Sequence, residues 1–242
     1  MSDKSGTALV IPHNFQSGER DRAWSWVYRR WMAFKERTKD FDEVFAGPHE
    51  GEGLSRSSLR NIAVRSTVGD TIILADADIA LPDEAVLTLA LREHRETGRW
   101  VIPYAPYTGY HRLTMPTSRW ILFHLEADYD LPSNVFRVEH APFHSVAGCI
   151  IMSRDQFEGV GGYDERFIGW GFEDNAFAEA MTLCYGVPLR LNYPIFHLWH
   201  PAGAGDSFEG PQIPGNRALY QKYVDFRTSG DIDGYKNWRR NG

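Results

Sequence analysis

Two hydrophobic rhythms take turns along the chain. Short unbroken apolar runs at Ala8 to Pro12 and Thr71 to Ala75 predict strands buried on both faces. Between them, Arg20 to Lys35 sets Ala23, Val27, Trp31 and Phe34 on one face at helical spacing. Glu43 to Ala46 reads as a further strand and Ser55 to Val68 as the helix after it. A helix from about Asp83 to Thr97 and a strand at Trp100 to Pro103 continue the alternation. A βαβαβ order implies an α/β fold: a mostly parallel sheet flanked by helices, its first half suited to a nucleotide.

From Tyr104 to Ser145 the regularity fails, with Pro106, Pro116, Pro132 and Pro142 among many aromatics and four histidines. The stretch reads as an excursion over the sheet edge. It is either an acceptor surface of aromatic faces or a structural insertion whose aromatics pack beneath it. Val146 to Met152 restores a strand, and Ser153 with Gln156 forms a capping-box signature. A helix then opens at Glu173 and Asp174, carries Phe177, Met181 and Cys184 on its apolar face, and stops at Gly186 and Pro188. Pro201 to Asn216 holds too many glycines and prolines for regular structure and reads as a lid. No repeat and no Gly-, Ser- or Pro-rich linker divides the chain, so residues 1–242 are read as one domain, in segments of about 8–103, 104–200 and 201–242.

Composition narrows the class. At 242 residues and 43% apolar, the chain supports one large core, and no run approaches the roughly 18 residues that a bilayer span requires. The start, MSDKSGTALVIP, has no basic region followed by a long apolar segment, so a cytoplasmic location in a bacterium or a phage-infected cell is expected. Cys149 and Cys184 lie in apolar contexts and read as buried free thiols. A net charge of −6 gives no general drive toward nucleic acid, and the cluster Arg29, Arg30, Lys35, Arg37 and Lys39 reads as a solvated helix face.

Two acidic segments carry the chemistry. In TIILADADIALP an apolar strand ends in Asp76 and Asp78, where open α/β sheets bind ligands. Two carboxylates there are costly to bury unless they meet a cation or basic groups, and a hard divalent ion carrying nucleotide phosphates is a natural partner. In GGYDERFIGWGFEDNAFAEAM, glycines at 161, 162, 169 and 171 let the backbone turn sharply before Glu173 and Asp174, which sit where the helix dipole favours negative charge.

DADIALP resembles the DxD segment of GT-A fold glycosyltransferases. GGYDERFIGWGFED resembles the GWGxED segment of the beta-1,4-galactosyltransferase family, which polypeptide N-acetylgalactosaminyltransferases share in altered form. LVIPHN resembles their first strand and nucleotide-contacting turn, SRSSLRN their segment with an arginine five residues before an asparagine, and HLWHP their metal-binding histidine segment. These matches follow the family's order from about residue 8 to 201.

The resemblance implies a UDP-sugar-dependent enzyme using Mn²⁺ or Mg²⁺; the lack of a long apolar run, unlike the membrane-anchored animal members of the family, leads us to expect a soluble one. Asp78 and His200 would bind the metal, while Asp76 is left to metal, water or ribose. His197, three residues before His200, would face away from it on a strand. Pro12, His13, Asn14, Arg56 and Asn61 would contact the nucleotide, and Trp170 would wall the sugar site. Asp174 would be the general base, with Glu173 orienting the acceptor or donor sugar. Phe172 and Asn175 depart from the family's run of glycine and acids, which leaves sugar and acceptor preference open. The DxD and the aspartate after Glu173 favour the inverting branch over the retaining one. A protein hydroxyl, a glycan and a modified DNA base all remain as acceptors. Two rivals are weaker. A sugar-phosphate nucleotidyltransferase needs a phosphate loop that IPHNFQSGERDR does not offer, and a non-catalytic sugar- or protein-binding module has no need of both acidic motifs.

Overall fold

Leu9, Val10 and Ile11 have no exposed surface, and this apolar run forms an interior strand of a six-stranded sheet. A computed structural model of the chain describes residues 6–13, 18–47, 55–131, 138–139, 145–201 and 209–241. Strand β1 (Thr7–Pro12) leads through helix α1 (Glu19–Thr38) to β2 (Glu43–Gly47), and α2 (Arg56–Arg65) returns to β3 (Thr71–Ala75). Both β2 and β3 pair with β1 in parallel. After the short β4 (Ile79–Ala80), α3 (Glu84–Thr97) leads to β5 (Val101–Ile102). The excursion predicted over 104–145 has more order than its prolines suggest. It contains β6 (Tyr110–Leu113), α4 (Met115–His124) and β7 (Val138–Glu139), because Pro116 stands in the first turn of α4, where a missing N–H is harmless, and the Thr114 side chain caps that helix.

The chain then runs through β8 (Cys149–Ser153), α5 (Arg154–Gly159), α6 (Glu173–Tyr185), β9 (Leu189–Arg190) and β10 (Ile195–His197), and ends in α7 (Ile213–Ser229) and α8 (Ile232–Asn241). The main sheet has the order β2-β1-β3-β8-β5-β9. Within it β8 is antiparallel to both neighbours and β9 is parallel to β5. A second sheet, β4-β10-β6-β7, sets β10 antiparallel to β4 and parallel to β6. The Ser153–Gln156 capping box at α5 is present in both directions. The segment read as irregular from Pro201 to Asn216 is helical from Ile213 onward, with Pro214 again in the first turn. Residues 202–208 of the expected lid lie outside the described residues.

The basic cluster on α1 is only partly solvated. Arg30 is 1% exposed, with its Nε donating to the Leu81 carbonyl at 2.9 Å and its Nη1 to Ala127 at 2.9 Å; Tyr129 and Pro82 carbonyls take two further bonds. Its guanidinium also lies 4.8 Å from the Phe34 ring centroid. Burial pulls its pKa down to about 10, which still leaves it charged at neutral pH. Arg30 therefore ties α1 to the segment before α3 and to the one after α4. Arg30→Met leaves these carbonyls without their donor, and a loss of about 3 kcal/mol or more is expected, since each buried orphan costs about 1–3 kcal/mol. Calorimetry should show a fall in Tm of roughly 6–12 °C, at about 2–4 °C per kcal/mol for a chain of this size.

Candidate functional site

The first acidic motif forms where β3 stops. The Asp76 N–H donates to the Gly148 carbonyl at 2.9 Å, and the Ile79 N–H closes a turn onto the Asp76 carbonyl at 3.2 Å. The register of β10 on β4 then sets His197 opposite Ile79, beside Asp78, and the Leu198 N–H reaches the Asp78 carbonyl at 2.9 Å. Because β10 ends at His197, the strand alternation that would turn His197 away from His200 does not apply. The two rings lie 5.2 Å apart, and both face Asp78.

Asp78 Oδ2 lies 2.9 Å from His200 Nε2 and 3.7 Å from His197 Nε2. One ligand atom from each of the three residues falls within 4.8 Å of the others. His200 Nδ1 is 2.9 Å from the Pro201 carbonyl, which can only accept, so Nδ1 carries the proton. In the neutral ring this leaves the Nε2 lone pair facing a carboxylate oxygen. That arrangement calls for a cation or a proton between them, and two imidazoles with one carboxylate suit a borderline divalent ion. Burial alone would raise the Asp78 pKa, but the imidazoles of His197 and His200 outweigh it and hold the carboxyl below the usual range. Burial pushes the His197 pKa down, favouring the neutral ring a metal requires.

The second acidic motif meets the first through Arg60, a residue the sequence reading passed over in favour of Arg56. Arg60 lies on α2 with its side chain 8% exposed. Its Nη2 donates to Asp76 Oδ1 at 2.9 Å and lies 3.3 Å from Asp174 Oδ1; its Nη1 lies 3.9 Å from Glu173 Oε1. Glu173, 3% exposed, accepts from the Gly171 N–H at 2.8 Å. Burial is the main cause pushing the Asp174 pKa up, to about 7. Arg60 opposes that shift, Glu173 and Asp76 add to it, and Arg56 opposes it more weakly.

The turn before α6 is held from two sides. Asn61 is 4% exposed, and its side chain accepts from the Tyr163 N–H at 2.8 Å and donates to the Tyr163 carbonyl at 2.9 Å and to Glu165 Oε1 at 2.8 Å. In this structure its amide thus fixes the backbone of the acidic segment, which then stacks Tyr163 on Phe177 with ring centroids 4.3 Å apart. From α7, the buried Asn216 accepts from the Ile168 N–H at 3.1 Å and donates to the Ile168 and Gly171 carbonyls at 3.0 and 3.1 Å. Gly171 has φ 113°, and a Cβ there would stand 3.0 Å from Ile213 Cδ1. Phe172, where the sequence departs from the family pattern, takes φ 74° in the left-handed region and stacks on Tyr220 at 5.4 Å.

Of the remaining predicted residues, Pro12 ends β1, and the His13 N–H donates to the Gly47 carbonyl at 3.3 Å. His13 pairs with Asp21 at 3.1 Å and stacks on Trp24, and burial lowers its pKa. Asn14 lies outside the described residues. Trp170 is half-buried, its carbonyl 3.4 Å from Gln212 Nε2. Asp76, expected at the metal, at water or at the ribose, turns to Arg60 and is not among the three clustered ligands.

Residues 134–192, which include the second acidic motif, match the family model described as the N-terminal domain of galactosyltransferase. No curated protein matches the chain. Among solved structures it is similar to a Drosophila beta-1,4-galactosyltransferase 7 mutant in complex with manganese, UDP-Gal and xylobiose. That match has 17% identity and a TM-score of 0.51, covering 81% of this chain and 71% of the fly chain. S. aureus TarS in complex with UDP-GlcNAc aligns at 11% identity and a TM-score of 0.58 over 90% of this chain and 66% of the other. GalNAc-T7 with UDP, GalNAc and Mn²⁺ aligns at 13% identity and a TM-score of 0.53 over 100% of this chain and 55% of that protein. Likeness at these identities is one of fold.

Proposed function

We propose, from the GT-A fold that this chain shares with its structural neighbours, that it is a glycosyltransferase moving a hexose from a UDP-sugar to an acceptor hydroxyl with inversion. The observation that carries this reading is the meeting of the two acidic motifs: Asp76 of the first and Asp174 of the second both pair with Arg60 Nη2. Two motifs about 100 residues apart in sequence converge on one buried cation beside a three-ligand cluster. A non-catalytic module has no use for that arrangement.

Asp78, His197 and His200 would hold Mn²⁺ or Mg²⁺. When bound, the ion supplies neutralisation of charge on the diphosphate leaving group, a contribution of several kcal/mol. Asp174 takes the acceptor proton. With its pKa pushed up to about 7, its carboxylate is a stronger base than an ordinary aspartate and is still ionised in a substantial fraction of molecules at neutral pH. Glu173, buried and anchored by the Gly171 N–H, supports the sugar side of the turn, with Trp170 as a wall. Pro12, His13 and Arg56 would contact the nucleotide, as would Asn14, which lies outside the described residues, while Asn61 acts one layer back through the Tyr163 backbone. Acceptors bearing a hydroxyl on a protein, a glycan or a modified DNA base fit this chemistry equally.

A panel of nucleotide sugars tested by thermal shift with and without Mn²⁺ examines the reading. The right donor at 100-fold its Kd adds about 2.7 kcal/mol of stability, visible as several degrees, and only with the metal present. Equal shifts with and without metal, or none with any UDP-sugar, would rule the reading out. Intact-mass analysis of products from a host lysate then names the acceptor.

A further inference from the structure

We infer that Arg60 is a positioning residue of the site: it holds Asp174 in line with the first acidic motif by sharing one nitrogen between Asp76 and Asp174. The inference rests on the glycosyltransferase reading for its kinetic consequence, and on geometry alone for its structural one.

A comparison inside the molecule separates this role from ordinary packing. Arg30 is also buried, and its hydrogen bonds go to backbone carbonyls, which a purely structural arginine satisfies wherever the chain crosses itself. Among the described contacts of Arg60, by contrast, the charged partners are side chains: Asp76, Asp174 and Glu173. Among the described residues its Nη1 is buried without a hydrogen-bond partner, as is Asp174 Oδ1, despite 3.3 Å between that oxygen and Nη2. A buried guanidinium left partly unsatisfied among three carboxylates is poorly arranged for stability, and sites tolerate such arrangements where reacting groups must be held in place.

The groups facing Asp174 come from three parts of the fold. Arg60 and Arg56 reach it from α2, Asp76 from the end of β3, and Glu173 adjoins it on α6. Arg60 is the best placed of the two cations, being the larger influence on Asp174 and the one within ion-pair distance. Its own orientation is fixed by Tyr163, whose ring centroid lies 4.9 Å from the guanidinium carbon and whose backbone Asn61 clamps. A chain of contacts thus runs from Asn61 through Tyr163 and Arg60 to Asp174.

Arg60→Lys tests this. A lysine keeps the charge, but its side chain is shorter and its ammonium falls short of the Nη2 position that lies between the two carboxylates. The expected result is a kcat reduced by roughly 100-fold, within the range for a compromised general base, with KM for the donor and UDP affinity changed less than about threefold. In an Asp174→Asn background the same substitution is expected to cost less than about threefold, because two residues acting through one proton transfer are not additive. Equal costs in both backgrounds, or UDP affinity falling in parallel with rate, would make Arg60 a donor-binding residue and overturn the inference. A crystal structure of Arg60→Lys supplies a readout independent of turnover: the fold should persist while the Asp174 carboxylate leaves its place beside Asp76. An unmoved Asp174 also overturns the inference, even if the wild-type protein transfers no sugar and the functional reading falls separately.

Discussion

Asp174→Asn is expected to lower turnover by about 10²–10⁴-fold, as loss of a general base does, while UDP and Mn²⁺ affinities stay within a few-fold of wild type. The amide preserves the shape of the side chain and removes its capacity to take a proton. The metal cluster of Asp78, His197 and His200 does not include Asp174, so donor binding should be spared. The pH behaviour gives a second check. Burial pushes the Asp174 pKa from 3.8 to about 7, so wild-type kcat/KM should rise with pH through a limb centred near 7, and the limb should vanish in the asparagine variant. Stability carries the opposite sign. The folded state keeps a proton that the unfolded state has lost between about pH 4 and 7, so this group makes stability fall as pH climbs through that window and leaves it flat above. Unfolding midpoints across pH 4–8 for both proteins test this. A variant that loses UDP affinity in step with its rate would instead assign Asp174 to donor binding.

Asp78→Ala is expected to abolish metal-dependent UDP binding, with Mn²⁺ affinity reduced at least about 100-fold. Loss of a mere supporting group costs about 10–100-fold, and among the described residues Asp78 is the one carboxylate in its cluster. The fold should survive, because the remaining His197 and His200 can rest as neutral rings and no buried charge is left unpaired. Circular dichroism and isothermal titration with Mn²⁺ and UDP check both halves. His197→Ala should act in the same direction, since its Nε2 belongs to the same cluster. Chelator-insensitive wild-type activity, or a fully active Asp78→Ala protein, excludes the metal assignment.

The alternation of strand and helix through α3 was readable because long buried runs and one-sided helices have distinct periods, and the ends fell within a few residues of those observed. Both acidic motifs were readable for a related reason: carboxylates at the end of an apolar strand or in a glycine-rich turn break the local pattern. Three features were not. His197 was expected to face away because the alternation was extended three residues beyond the end of β10, to His200. Arg60 looked like any helix arginine, since nothing local records that Asp76 and Asp174 meet above it. The proline-bearing starts of α4 and α7 were taken for disorder in the pattern, although a proline in a first turn is compatible with a helix. Each miss involves a contact between parts of the chain far apart in sequence, or a helix start whose signal is also that of a loop.

Phe172 bears on the order in which the molecule folds. Its left-handed backbone costs a non-glycine residue about 1–2 kcal/mol, so the segment that carries Glu173 and Asp174 does not favour this turn by itself. The compensating contacts come from later in the chain: the Tyr220 ring against Phe172, the Asn216 amide on Ile168 and Gly171, and the Arg217 guanidinium 5.8 Å from the Phe172 ring centroid. During synthesis the sheet through β8 has all its strands before any of these residues emerges. The turn that leads into the second motif gains its last supports only when α7 docks. A nascent chain stopped short of Asn216 would therefore lack the contacts that offset the Phe172 backbone, and the last helices act as the closing buttress of the turn before α6.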